Sequence, residues 1–328
     1  MSCDASGIAF AAATTMACAV ALSHPAQAQT WPAKPVRVIS AYAAGGTNEL
    51  AARPILQHLT TAFGQQFLLE ARPGANGNIG AMEVVRAAPD GYTVLFSTAS
   101  QLTINPALYK MPFDPMKDLA PIVGVSANSL AIILNAAVPA NSYRELIAYA
   151  RANPGKLTYS SAGNGSINHL SGELLSMLTQ TKLLHVPYGG GGPALNAVIA
   201  GEVNMIVQSA GGLMLPHLKA GKLKVVGISS PTRRPLIPDV PTMEELGLPD
   251  YKVRSGTMFM GPAAMSRPVI NRFNAEVVKY LSSPEGQKQY DQLGVELSYG
   301  TPDELGKSLR DELARWTGVV KTAGIKLE

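Results

Sequence analysis

The chain of 328 residues is 46% hydrophobic and only 15% charged, which excludes a disordered tail protein and supplies material for a large core or two domains. Lys+Arg 27 against Asp+Glu 23 gives a formal charge of +4, and no basic run outgrows pairs such as Arg233-Arg234, which excludes a nucleic-acid footprint. A surplus this mild serves solubility and exerts a weak pull on small anions.

Residues 7–22 form a run of small and apolar side chains, followed by His24-Pro25 and by Ala26-Gln27-Ala28. The small-x-small pattern predicts a secretory signal peptide over 1–28, cleaved after Ala28. The run is short for a membrane span and ends in Pro25 without a basic flank. It departs from the usual signal in carrying Asp4 and no Lys or Arg at its start, and Cys18 behind Thr15-Met16-Ala17 is a poor lipoprotein box. Cys3 and Cys18 both fall in this segment, so the mature chain is expected to hold neither disulfides nor thiolate metal sites, which suits a periplasm. No later segment approaches about 18 consecutive apolar residues, and a soluble mature protein is expected.

From Pro35 onward short β-branched runs alternate with helical periods, the signature of βαβ units. Strands are predicted at 36–41, 66–70, 93–97, 130–135, 157–160, 182–186, 203–208, 224–229 and 257–261, more than one comfortable sheet holds. Ser142-Tyr143-Arg144-Glu145 and Thr301-Pro302-Asp303-Glu304 read as capping boxes. The first opens a helix to about Ala152 and the second a long C-terminal helix through Leu305, Leu309, Leu313 and Trp316. Asn153-Pro154-Gly155 and Ala220-Gly221-Lys222 read as helix stops. No low-complexity linker separates two halves, so two lobes must share crossing strands, predicted within 123–134 and 251–261. Such a crossing sets a ligand cleft between the lobes.

Four loops could serve that cleft. Tyr42, Ala44, Gly45, Gly46, Thr47 and Asn48 follow the first strand and lead into a helical period. Backbone amides there can approach an anion at a helix start, and the same glycines also fit an ordinary tight turn. Pro54 is expected early in that helix, distorting its first turn. Arg72-Pro73-Gly74 through Gly80 lacks the G-x-G-x-x-G order and reads as a packing turn rather than a cofactor loop. Ser161, Ala162, Gly163, Asn164, Gly165 and Ser166 lead from a strand into a helix, and their amides and hydroxyls can cradle a carboxylate without formal charge. His169, one turn into that helix, can point at the cleft or pack structurally. His185-Val186-Pro187-Tyr188 meets the loop 189–192, which lacks a P-loop ending and offers instead a helix start, with Tyr188 as an aromatic wall.

Catalytic constellations are absent. The sequence has no G-x-S-x-G elbow, no mature thiol, and no metal-ligating pairing among His58, His169, His185 and His217. An enzyme, a metal site and a bound cofactor are therefore not expected.

Trp31-Pro32-x-Lys34-Pro35, Ala44-Gly45-Gly46, Arg72-Pro73-Gly74-Ala75-x-Gly77-Asn78-Ile79-Gly80, Ala88-Pro89-Asp90-Gly91-Tyr92 and Asn153-Pro154-Gly155-Lys156-Leu157 together resemble the Bug-type, TctC-like solute receptors of tripartite tricarboxylate transporters. Ser161 to Gly165, His185 to Tyr188, Leu218 to Leu223 and Pro238-Asp239-Val240-Pro241-Thr242 extend the resemblance over nearly the whole mature chain. It implies a type II-like periplasmic-binding-protein flytrap of two α/β lobes, 29–124 with 255–328 and 125–254. It also implies a small carboxylate held by main-chain amides of Ala44 to Asn48 and Ala162 to Ser166, membrane permease subunits as partners, a monomeric state and a periplasmic location. The same trap could instead present its ligand to a membrane kinase; an enzyme of similar fold is the remaining alternative. Where the family usually has Pro-Phe and Pro-Thr-Asp around the first glycine turn, this sequence has Ala41-Tyr42 and Thr47-Asn48-Glu49. Where it often has an acidic or Asp-Asn pair, this sequence has Gln208-Ser209, a neutral amide that eases binding of a second carboxylate or a less polar ligand body.

Overall fold

The structure is a computed structural model that describes residues 31–41, 47–209 and 214–325. Residues 34–325 form one unit, and 31–33 belong with the N-terminal segment as another. The predicted signal peptide, Tyr42, Ala44, Gly45 and Gly46 lie outside the described residues.

All nine predicted strands form: β1 (Val36–Ser40), β2 (Phe67–Ala71), β3 (Thr93–Thr98), β4 (Leu119–Asn135), β5 (Thr158–Ser161), β6 (Leu184–Pro187), β7 (Met205–Ser209), β8 (Leu223–Ile228) and β9 (Arg254–Pro262). They divide into two sheets that share β4. In the first sheet β1 lies parallel between β2 and β3, and antiparallel β9 links β3 to β4. In the second, β4 pairs antiparallel with β7 and β8, and β5 lies parallel between β6 and β7.

The division follows from the register of β4. Its 17 residues pair with β9 from Leu119↔Pro262 to Ser129↔Arg254, and from Leu130 onward with β7 and β8. In the second part successive side chains enter opposite cores, as a pleat requires. Leu130, Ile132 and Leu134 join Tyr159, Leu170, Leu174, Tyr251 and Trp316, while Ala131 and Ile133 join Leu195, Val198 and Ile206. A separate core under the first sheet gathers Ile39, Leu95, Leu102, Met258 and Leu309. The fold is therefore α/β and two-lobed.

The crossing is knotted by polar contacts. Ser129 donates its amide (3.1 Å) and hydroxyl (2.8 Å) to the Glu296 carboxylate, and Arg234 approaches the same carboxylate at 3.5 Å. Segment 296–298 adds backbone bonds to Val125 and Ala127. It can come that close because position 124 is glycine, where a Cβ would lie 2.7 Å from the Ser298 carbonyl oxygen.

The helices relevant to the lobes and their loops are α1 (Thr47–Phe63), α2 (Asn78–Val85), α3 (Ala99–Thr103), α4 (Tyr143–Ala152), α5 (Ile167–Thr179), α6 (Gly191–Ala200) and α7 (Pro302–Ala323). Thr301 and Glu304 make the full capping box at α7. Ser142 caps α4 through the Glu145 amide, but the Glu145 carboxylate takes the Asn141 amide rather than that of Ser142. Pro54 lies inside α1 and not in its first turn, because the helix already begins at Thr47. The 72–80 stretch is a packing turn. Arg72 pairs with Glu70 and Glu83, and the Gly77 carbonyl accepts from Gln101. Among the described residues no helix is long and apolar enough to cross a membrane.

Candidate ligand-binding site

In the second sheet, parallel β5, β6 and β7 point their carboxyl ends the same way, toward the starts of α5 and α6, the edge at which open α/β sheets hold ligands. Ser161 closes β5, Tyr188 follows β6, and Gln208 lies near the end of β7. The Tyr188 amide donates to the Ser161 carbonyl (3.0 Å), drawing these loops together. In the first sheet β1 runs toward the predicted glycine turn, and Thr47 and Asn48 open α1.

The loop from Ser161 to Ser166 is held from within. Ser166 caps α5 by accepting the His169 amide at 3.3 Å. Gly165 has φ +75°, in the left-handed region that favours glycine, and its amide donates to His169 Nδ1 at 3.0 Å. That bond leaves the ring proton on Nε2, which faces Glu173 at 4.0 Å. The Gly163 amide donates to Ser161 Oγ (3.1 Å), which also lies 2.6 Å from His185 Nε2. The two imidazoles stack at 3.9 Å, and Tyr159 stacks on His185 at 5.0 Å while donating its hydroxyl to Glu173 at 2.5 Å. Asn168 ties the helix start to β7 by donating to the Val207 carbonyl at 2.6 Å.

His169 is thus buried beneath the loop as its support. The Gly163 and Gly165 amides, read from the sequence as ligand donors, are engaged by Ser161 and His169. Ala162 is half-buried and Asn164 exposed. Tyr159, Asn168 and Glu173 complete the support, and no sequence motif marks them. Ser161 and His185 have the spacing of a nucleophile and base, but the Ser161 side chain is fully buried and accepts a backbone amide, so the pair fixes the loop.

Burial pulls His169 down to about 4, and burial together with the neighbouring imidazole does the same to His185. Burial followed by the Glu173 contact raises the Tyr159 hydroxyl. The histidine pair is therefore neutral at pH 7. An unfolded chain takes up imidazole protons near pH 6.5, so it binds more protons than the folded one between about pH 6.5 and 4, and stability falls as pH is lowered through that window. Counting the coupled rings as one site, the loss is on the order of 3 kcal/mol. Urea unfolding at pH 7 and pH 4.5 checks this, and an unchanged midpoint would contradict a neutral buried pair.

Gln208 adds a polar group without a partner. Its Oε1 is enclosed and has no hydrogen-bond partner among the described residues. It sits beside the start of α6, where a Cβ on Gly191 would lie 3.6 Å away. Also among the described residues, no three His, Cys, Asp or Glu side chains gather as a metal site.

Two α/β lobes joined by crossing strands, with glycine loops at strand ends, define the flytrap class of periplasmic-binding-protein folds. The family model described as the tripartite tricarboxylate transporter family receptor, TctC, matches residues 51–325. A UPF0065 protein of Bordetella bronchiseptica is 32% identical over 309 residues, covering 94% of this chain and 91% of its own. Among solved structures, a periplasmic transporter shares 34% identity with a TM-score of 0.75, over 91% of this chain and all of that one. An R. palustris protein solved with adipate shares 31% identity with a TM-score of 0.76, over 90% and 99% of the two chains. The chain belongs to the tripartite tricarboxylate transporter receptor family, whose members are solute-binding receptors and not enzymes.

Proposed function

We propose that this protein is a monomeric periplasmic receptor that binds a small carboxylate and delivers it to the membrane permease subunits of a tripartite tricarboxylate-type transporter. The lobes are 29–124 with 255–328 and 125–254, after removal of 1–28. The ligand lies between Tyr42, Ala44, Gly45, Gly46, Thr47 and Asn48 of the first lobe and Ser161 to Ser166, Tyr188 and Gln208 of the second, with His169 as the support beneath. The observation that carries this reading is the convergence of the Ser161–Ser166 loop, Tyr188 and Gln208 at the carboxyl ends of β5, β6 and β7, against two helix starts. The adipate held by the R. palustris relative agrees with a carboxylate ligand.

A thermal-shift screen of the protein against adipate, malate, benzoate, amino acids, neutral sugars and amines tests it. A ligand at 100 times its Kd stabilises the folded state by about 2.7 kcal/mol, a rise of about 4 °C for a chain of this size. At least one carboxylate should give such a rise. Shifts from sugars or amines, with none from any carboxylate, would overturn the reading.

A further inference from the structure

Helix α7 belongs to both cores. Leu309 packs with Leu95 and Met258 under the first sheet, and Trp316 packs with Tyr159, Leu170 and Tyr251 in the second. Glu312 lies midway between them. One of its carboxylate oxygens, Oε2, is buried with no hydrogen-bond partner among the described residues, and so is Nε of Arg254. Arg254 begins β9 where its partner strand passes from one sheet to the other, and its guanidinium reaches Glu296 only at 3.9 Å. Both side chains line one cavity of about 440 Å3 between α7 and the approach to β9. A donor atom, Arg254 Nε, and an acceptor atom, Glu312 Oε2, each buried and without a partner among the described residues, stand at the point about which two lobes would move.

We propose that Glu312 is a proton-operated latch at the lobe junction: neutral, it stays wedged between the two cores as in this structure, and ionised, it is drawn to Arg254 and shifts the lobes against each other. A desolvated carboxylate without a partner is costly, so its ionisation favours any arrangement that pairs it. Burial pushes Glu312 up to about 7, against the opposing pull of Arg315 and Arg254. The groups around it are few. Glu304, Lys307, Asp311 and Arg315 lie on its own helix, with Glu304 held by Thr301, Lys307 bound to Asp311 and Arg315 to the Lys252 carbonyl. Lys252 and Arg254 come from β9 and its approach, and Glu244 from the segment after β8. On the other side α3 brings the Thr103 hydroxyl. That hydroxyl, which also donates to the Ala99 carbonyl at 2.8 Å, pulls with the two arginines against burial and favours the ionised carboxylate. Neither α3 nor β4 carries a titratable side chain. From α5, Glu173 is engaged by Tyr159 and His169 is neutral.

Trp316, one helical turn beyond Glu312, supplies a reporter that needs no ligand. In a Trp31→Phe background its fluorescence should titrate with a midpoint near pH 7, and Glu312→Gln should abolish the transition. Small-angle scattering of the ligand-free protein should differ between pH 5.5 and 8.5, and Glu312→Gln should hold the pH 5.5 form at both. Arg254→Gln should keep the fluorescence titration, with a higher midpoint, but lose the scattering change. Wild-type scattering identical at the two pH values, or a pH response that survives in Glu312→Gln, would overturn the latch. Neither readout depends on which solute the cleft takes.

Discussion

Replacing Trp316 with alanine is expected to lower the unfolding free energy by about 3–5 kcal/mol, the usual cost of emptying the site of a fully buried large aromatic. Trp316 is 1% exposed and belongs to the largest side chains completely enclosed in the protein. Its neighbours are β-strand and helix residues fixed in their own pairings, such as Leu130, Tyr159 and Leu170, so the void cannot collapse easily. Leu309→Ala, at the other end of the same helix, should cost about 2–5 kcal/mol in the other core. Because one helix carries both residues, each variant should move a single unfolding transition rather than create a second. Urea denaturation followed by far-UV circular dichroism measures both effects. A wild-type midpoint in Trp316→Ala would mean that the helix is not anchored in the second core.

Gly165→Val is expected to weaken carboxylate binding tenfold or more while leaving the protein folded. A β-branched residue at φ +75° is strained by about 1–3 kcal/mol, and the loop would relieve that strain by giving up the bond from its amide to His169. The substitution therefore acts on the shape of the loop as much as on the room beside it. His169→Ala should do less, since it removes the acceptor and the stack on His185 but leaves the backbone free to keep its path. Calorimetric titration with whichever carboxylate gives the largest thermal shift orders the two variants. Equal affinity for wild type and Gly165→Val would take the loop out of the site.

The strands were legible because burial on one or both faces leaves a periodic trace. Each lies within three residues of its expected bounds, apart from β4, which begins at Leu119 rather than near 130. What the pattern concealed is that 119–135 is one strand. Pro121 and the polar stretch from Ser126 to Ser129 interrupt the apolar run, and bulges beside Pro121 and Gly124 shift the register. The loops were visible through their glycines, but not the use of their amides. That depends on His169 meeting His185 across two elements, and on Ser161 meeting both Gly163 and His185. The Glu296 contacts join residues 167 positions apart, a distance at which no local signal operates. Glu312 and Arg254 were hidden for the same reason, since α7 reads from the sequence as an ordinary capped, amphipathic helix.

The shared strand also fixes an order of assembly. The first sheet needs β9 to join β3 to β4, yet the whole second lobe is threaded between β4 and β9 in the chain. As the polypeptide leaves the ribosome, residues 36–135 therefore present four strands without the one that joins β3 to β4, and the fold of the first lobe waits for residue 254 and beyond. Pairing across so long an interval raises the contact order and slows folding. A nascent chain that remains open for most of its elongation is available to export machinery or chaperones before its native structure can form.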